Sequence, residues 1–183
     1  IKNFVNTVSV NCVFFDHYCL KKSGGDGSVS RGTVKSKQYY DLDIIRHYPL
    51  AKGIPFLMIT HGRPQWDAGY GASATATAPT VEKPTSHVYD EQRWLVWSQL
   101  AMGSKGVSYF CYWTPGGFSG GPFSWTSDGQ KTRMYDILKD INQEILPIGR
   151  RLMNCHADGA ISTNPTGNFA LYENNGVGLT NYG

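Results

Sequence analysis

A chain of 183 residues suits one domain of ordinary size and can bury a real core. Its formal net charge of +3, with 17% charged residues, is too mild and too scattered for a nucleic-acid partner. The only basic pairs are Lys21-Lys22 and Arg150-Arg151, and no apolar stretch approaches the ~18 residues of a membrane span.

Residues 7–16, with Val8, Val10, Val13, Phe14 and Phe15, read as a buried strand because β-branched and aromatic side chains crowd a short run. Residues 21–37 are rich in Gly and Ser and read as a loop. A helix is expected over 37–48, where Leu42, Ile45 and Tyr48 share a face and Pro49 limits its extension. Gly53 then precedes a second strand, 54–59. The stretch 61–85, with its Ala/Thr tract, lacks helical periodicity. Residues 90–102 form the next expected helix, with Trp94, Trp97 and Ala101 on one side packing on a sheet and Gly103 as its stop. A third strand spans 107–113, and a Gly/Pro/aromatic loop covers 114–128. The clearest helix is 132–146: Met134, Ile137, Leu138, Ile141 and Ile145 repeat at helical spacing, and Pro147 closes it. From 156 onward the chain is polar and rich in Gly and Asn, with one candidate strand at 169–172. This divides the chain into an α/β part, 1–155, and a linker or the start of a β-rich, sandwich-like region, 156–183.

Alternating strands and helices demand parallel strands joined by helical crossovers. Links from helix to strand (51–53 and 103–105) are short, whereas those from strand to helix (19–36, 61–85 and 114–128) are long. Long connections at the carboxyl ends of parallel strands are where α/β folds build their sites. The functional face should therefore carry Asp16-His17-Tyr18, residues 60–66 and residues 112–125. Cys12, Cys19, Cys111 and Cys155 form no CxxC pair, so a zinc site is not expected, and their disulfide state stays open. Aromatic content is 13%, with five Trp and eleven Tyr, which suits the apolar C–H faces of sugar rings.

Four stretches carry a family resemblance: FFDHY (14–18), YYDLDIIRHYPLAKGIPFLM (39–58), RWLVWSQLAMGSKGVSYFCYWTP (93–115) and DGQKTRMYDILKDINQEILPIGRRL (128–152). Over roughly 1–155 the chain resembles the last three βα units of β-galactosidase-like (β/α)₈ glycoside hydrolases. A complete barrel needs about 250 residues. With Ile1 at its start and Asn181-Tyr182-Gly183 at its end, the chain reads as a C-terminal piece of such a barrel. The resemblance implies a sixth, seventh and eighth strand ending at Asp16, Thr60 and Trp113. Trp113 would then floor the subsite of the reacting sugar, and residues 156–183 would begin an accessory sandwich.

Glycoside hydrolysis usually uses two carboxyl groups. The resemblance implies a Glu after a fourth strand, outside this chain, and a nucleophile at the end of the seventh. That strand reads Ile59-Thr60-His61, without a carboxylate. Asp16 becomes the resident candidate for catalysis; its bland alternative is a residue that binds a hydroxyl or caps the loop. His17, Tyr18, His61, Arg63, Trp66, Tyr112 and Trp113 are the candidate sugar contacts, against a bland reading of packing and local hydrogen bonding. Trp125 is a further stacking candidate, Glu82 reads as a solvated carboxylate, and Glu91 as a helix-opening charge.

The expected function is hydrolysis of O-glycosyl bonds in oligo- or polysaccharides, with part of the site in this chain and no cofactor. The alternative is a carbohydrate-binding protein that has lost catalysis. A nucleotide binder is disfavoured: Gly24-Gly25-Asp26-Gly27 stands far from the next helix and lacks a phosphate-loop pattern. An oligosaccharide partner suggests a secreted or periplasmic setting. Open edges on a three-strand sheet invite self-association.

Overall fold

The computed structural model describes residues 1–18, 20–21, 33–34, 38–62, 86–112, 121–123, 129–163, 169–173 and 180–182. Helices α1 (Lys2–Thr7), α2 (Gln38–Ala51), α3 (Ser86–Ala101) and α4 (Arg133–Asn154) accompany strands β1 (Val13–Asp16), β2 (Leu20–Lys21), β3 (Thr33–Val34), β4 (Phe56–His61), β5 (Val107–Phe110), β6 (Gly159–Thr163), β7 (Phe169–Glu173) and β8 (Thr180–Tyr182). The chain is α/β: β1, β4 and β5 form an open parallel sheet in the order β1-β4-β5. Two short strands, β2 and β3, pair antiparallel inside the segment expected to be loop. β6, β7 and β8 make a separate antiparallel sheet in that order, so the strand expected near 169–172 has a neighbour on each side.

Because side chains alternate along a strand, the register sorts the parallel sheet into two faces. Val13 and Phe56, Phe15, Met58 and Val107, and Thr60 and Tyr109 share one face. Phe14 and Leu57, Asp16, Ile59 and Ser108, and His61 and Phe110 share the other. The helices cover the first. One cluster joins Val5, Val13, Leu42, Ile45, Phe56, Met58 and Met102; a second joins Val96, Met134, Ile137, Leu138 and Ile141, with Val107 and Tyr109 against it. Full burial of each such side chain is worth roughly 1.5–3 kcal/mol. On the other face Phe14 stays 60% exposed and Phe110 39%.

Several expected boundaries moved. Helix α1 precedes the expected strand and takes in its first residue, Thr7; it is held through Val5, which is buried and whose carbonyl accepts from Lys52 Nζ at 3.3 Å. The first strand is therefore only Val13–Asp16. Pro49 and Pro147 lie inside α2 and α4 instead of ending them. A proline costs its own amide bond to the previous turn. In α4 the helix continues because its amphipathic stripe is already seated, and Leu146-Pro147 faces solvent. In α2 the last turn is rescued locally: the Pro49 carbonyl accepts from both Lys52 N and Ile54 N. The expected stop at Gly103 holds, at φ 96°, and Gly53, which precedes β4, has φ 66°.

Trp97, expected to pack on the sheet, also contacts the neighbouring helix. Its indole N–H reaches across to α4, where Glu144 accepts from Trp97 Nε1 (3.3 Å), Tyr89 Oη (2.5 Å) and Arg93 Nε (2.7 Å). Residues 89, 93 and 97 are one helical row, so a single carboxylate pins two turns of α3. The buried side of α3 carries Leu95 and Val96 together with Gln92 and Gln99. At the far end of α4, Lys105 Nζ donates to the carbonyls of Leu152 (2.8 Å), Met153 and Cys155, a cation set on the negative end of the helix.

The Glu144 clamp makes stability depend on pH. The Tyr89 hydroxyl first, and then the Arg93 guanidinium, hold the Glu144 carboxyl below its ordinary value. A depressed carboxyl contributes stability above the unfolded value of about 4.3 and loses it as pH falls through the folded value. Tyr89 is raised, chiefly by its bond to Glu144, so its share persists below pH ~10 and is lost above it. In Glu144→Gln, the fall of Tm between neutral and acid pH should be shallower than in the wild type. Melting curves by circular dichroism across that range test this, and parallel slopes would rule the clamp out as a stabilising contact.

Candidate functional site at the carboxyl ends of the sheet

The three parallel strands end together, and their last residues meet. His17 N donates to Ile59 O at 3.1 Å, and Gly62 N to Phe110 O at 2.7 Å. Gly62 is needed for that approach: a Cβ there would stand 3.2 Å from both Phe110 O and Tyr109 Cβ. The peptide between Phe110 and Cys111 is cis.

Asp16 and His61 lie on the face turned away from the described helices, at the ends of adjacent strands. Asp16 is exposed and accepts from Tyr18 Oη at 3.4 Å. The Tyr18 ring lies over the buried His61 ring, with centroids 4.5 Å apart at 33°, and meets the edge of Phe110 at 6.2 Å. Tyr18 therefore links the carboxylate to the imidazole and to the aromatic wall. His17 follows Asp16 directly, so strand alternation turns it toward the helices, where it is 8% exposed. Thr60, at the expected place of a nucleophile, is fully buried on the helix-covered face. At the described strand ends, residues 16–18, 59–62 and 110–112, Asp16 is the single acidic residue. Tyr109 is kept neutral by burial, which raises its phenol, and it donates to Asn142 Oδ1 at 2.8 Å.

A second aromatic group flanks the first. Tyr112, 71% exposed, stacks on Phe123 with centroids 4.4 Å apart. Phe123 meets Tyr135 edge-on at 5.4 Å, and Lys131 Nζ sits 4.3 Å from the Tyr135 centroid. The backbone builds this row. Phe123 bridges antiparallel to Lys131, Thr132 N donates to Pro122 O (2.9 Å), and Thr132 Oγ1 donates to Gly121 O (2.6 Å). Thr132 also caps α4 by accepting from Met134 N at 3.2 Å.

The structure thus brings Asp16, Tyr18 and His61 together, sets Tyr112 beside Phe123, and turns His17 away. Arg63, Trp66 and Trp113 lie outside the described residues, as do Glu82 and Trp125. Phe123, Tyr135 and Lys131 were missed by sequence reasoning. Phe123 lay in the aromatic stretch expected on this face, while Tyr135 lay within the expected helix 132–146; only the bridge unites them. Cys12 and Cys155 are free thiols. Among the described residues no three His, Cys, Asp or Glu form a set able to hold a metal, and no helix is long and apolar enough to cross a membrane. An exposed carboxylate among aromatic rings can accept hydrogen bonds from hydroxyls while the rings take apolar C–H faces. Comparison with family models, with curated proteins and with solved structures returned no match.

Proposed function

We propose that the carboxyl ends of β1, β4 and β5 form an oligosaccharide site of glycoside-hydrolase type, in which Asp16 supplies one of two carboxyl groups. The observation that carries this reading is the convergence of Asp16, Tyr18 and His61 beside the exposed Phe110 and Tyr112. Sugars demand that mixture: hydroxyl-binding groups set among rings that stack. Asp16 acts as acid, base or nucleophile, and Tyr18 orients its carboxylate; the chemistry needs no cofactor.

The parallel order β1-β4-β5, with the described helices packed on one face, is what three consecutive units of a (β/α)₈ barrel would look like. The bare apolar residues Phe14 and Phe110 on the inner face support closure by further strands. Self-association through the edges of β1 and β5, which have no partner strand among the described residues, is one source of them. Such a protein acts where polysaccharide fragments occur, in a secreted or periplasmic setting.

A second reading has its own support. With one acidic residue at the described strand ends, the site is better provided for holding a sugar than for cleaving one. Calorimetric titration with a panel of neutral oligosaccharides, and release of reducing ends from the same panel, separates the two. Binding with turnover supports the hydrolase, and binding without turnover supports the sugar-binding protein. Absence of both overturns the assignment to carbohydrate.

A further inference from the structure

The row Tyr112–Phe123–Tyr135 lies beyond the Asp16 group and serves no structural purpose that requires exposure. A buried aromatic would be explained by packing, but Tyr112 leaves 71% of its surface in water while its ring is already ordered against Phe123. Holding a large ring in place and wet is what a stacking platform requires. The scaffold beneath is stiff: the Phe123–Lys131 bridge and both Thr132 bonds tie residues 121–123 to the first turn of α4.

A cation stands at the edge of this platform. Lys131 is exposed and is drawn toward the Tyr135 ring, and neither ion pair among the described residues, Arg46–Asp43 or Arg93–Glu144, engages it. An ammonium has three donors, and the ring face occupies one side of it. The charges on the adjoining turn are Arg133 and Asp136, and the amino end of α4 adds positive potential. The local field is therefore suited to an anion.

We propose that Tyr112, Phe123 and Lys131 form a second sugar subsite that takes a uronic-acid unit, its C–H face on Tyr112 and its carboxylate on the Lys131 ammonium. The proposal rests on the oligosaccharide reading above and deepens it by naming the substrate class as acidic.

The test compares tetragalacturonate with its fully methyl-esterified form, which keeps the skeleton and removes the charge, by calorimetric titration of the intact chain at low salt. Neutral oligosaccharides are run in parallel. The free acid should bind about tenfold more tightly than the ester, the worth of one charge-assisted hydrogen bond. Added salt should shrink that preference. Lys131→Gln should erase the preference, and Tyr112→Ala should weaken both forms. Both side chains are exposed, so the variants should fold, and circular dichroism checks that they do. Equal affinity for acid and ester, or a preference that survives in Lys131→Gln, overturns the acidic subsite and leaves the oligosaccharide site standing. So does binding of the neutral panel alone. Failure of every sugar to bind overturns the subsite and the carbohydrate reading together.

Discussion

Gly103→Ala is expected to destabilise the fold by about 4 kcal/mol, the sum of backbone strain and overpacking. Gly103 stops α3 at φ 96°, beyond the left-handed well that other residues tolerate. A Cβ there would stand 2.6 Å from the Ala157 Cβ, with Leu50 and Phe56 also within 4 Å. The end of α2, the start of β4 and the segment after α4 all converge on that point. Gly53 provides the control. It stops α2 at φ 66°, and a Cβ there would meet nothing within 4 Å. Gly53→Ala should therefore cost only the backbone share, about 1–2 kcal/mol. Urea unfolding of the two variants separates conformation from crowding, and equal losses would contradict the close approach at Gly103.

On the proposed hydrolase reading, Asp16→Asn should lower glycoside turnover by about 10²–10⁴-fold, the usual worth of a positioned acid or base. The amide keeps the size of the side chain and still offers an oxygen to the Tyr18 hydroxyl. Because Asp16 is exposed and its side chain bonds only to Tyr18 among the described residues, folding should be unchanged. Binding of oligosaccharide should also survive within a few-fold. Initial rates and titrations on the same preparations give both numbers. A fall in affinity equal to the fall in turnover would make Asp16 a binding group, and unaltered turnover would remove it from the chemistry.

Much of the α/β frame was legible because it rests on local periodicity. The repeat through Met134, Ile137, Leu138 and Ile141 marked α4, and those residues are its buried face. Asymmetric link lengths pointed to the carboxyl ends of the strands, and Asp16, Tyr18 and His61 do meet there. Errors arose where a distant contact outweighed a local signal. Pro147 reads as a stop, yet α4 runs on because its apolar stripe is already seated and the lost amide bond faces water. At Trp97 the unseen contact is Glu144, 47 positions away, which accepts the hydrogen bond of its indole nitrogen. Lys131 and Tyr135 were invisible as a site because a bridge between residues 123 and 131 has no sequence signature.

The division of labour between the two ends of the sheet bears on how such a protein can change over generations. At the amino ends the turns are geared to one another: Gly103 meets Ala157, Lys105 N bonds Phe56 O, and Lys105 Nζ closes α4. Most substitutions there are paid for in stability and would be purged. At the carboxyl ends, Asp16, Phe110 and Tyr112 are exposed side chains resting on a finished framework. Drift at these positions can alter what is recognised at little thermodynamic cost. New specificities are thus open to the lineage without its having to find a new way to fold.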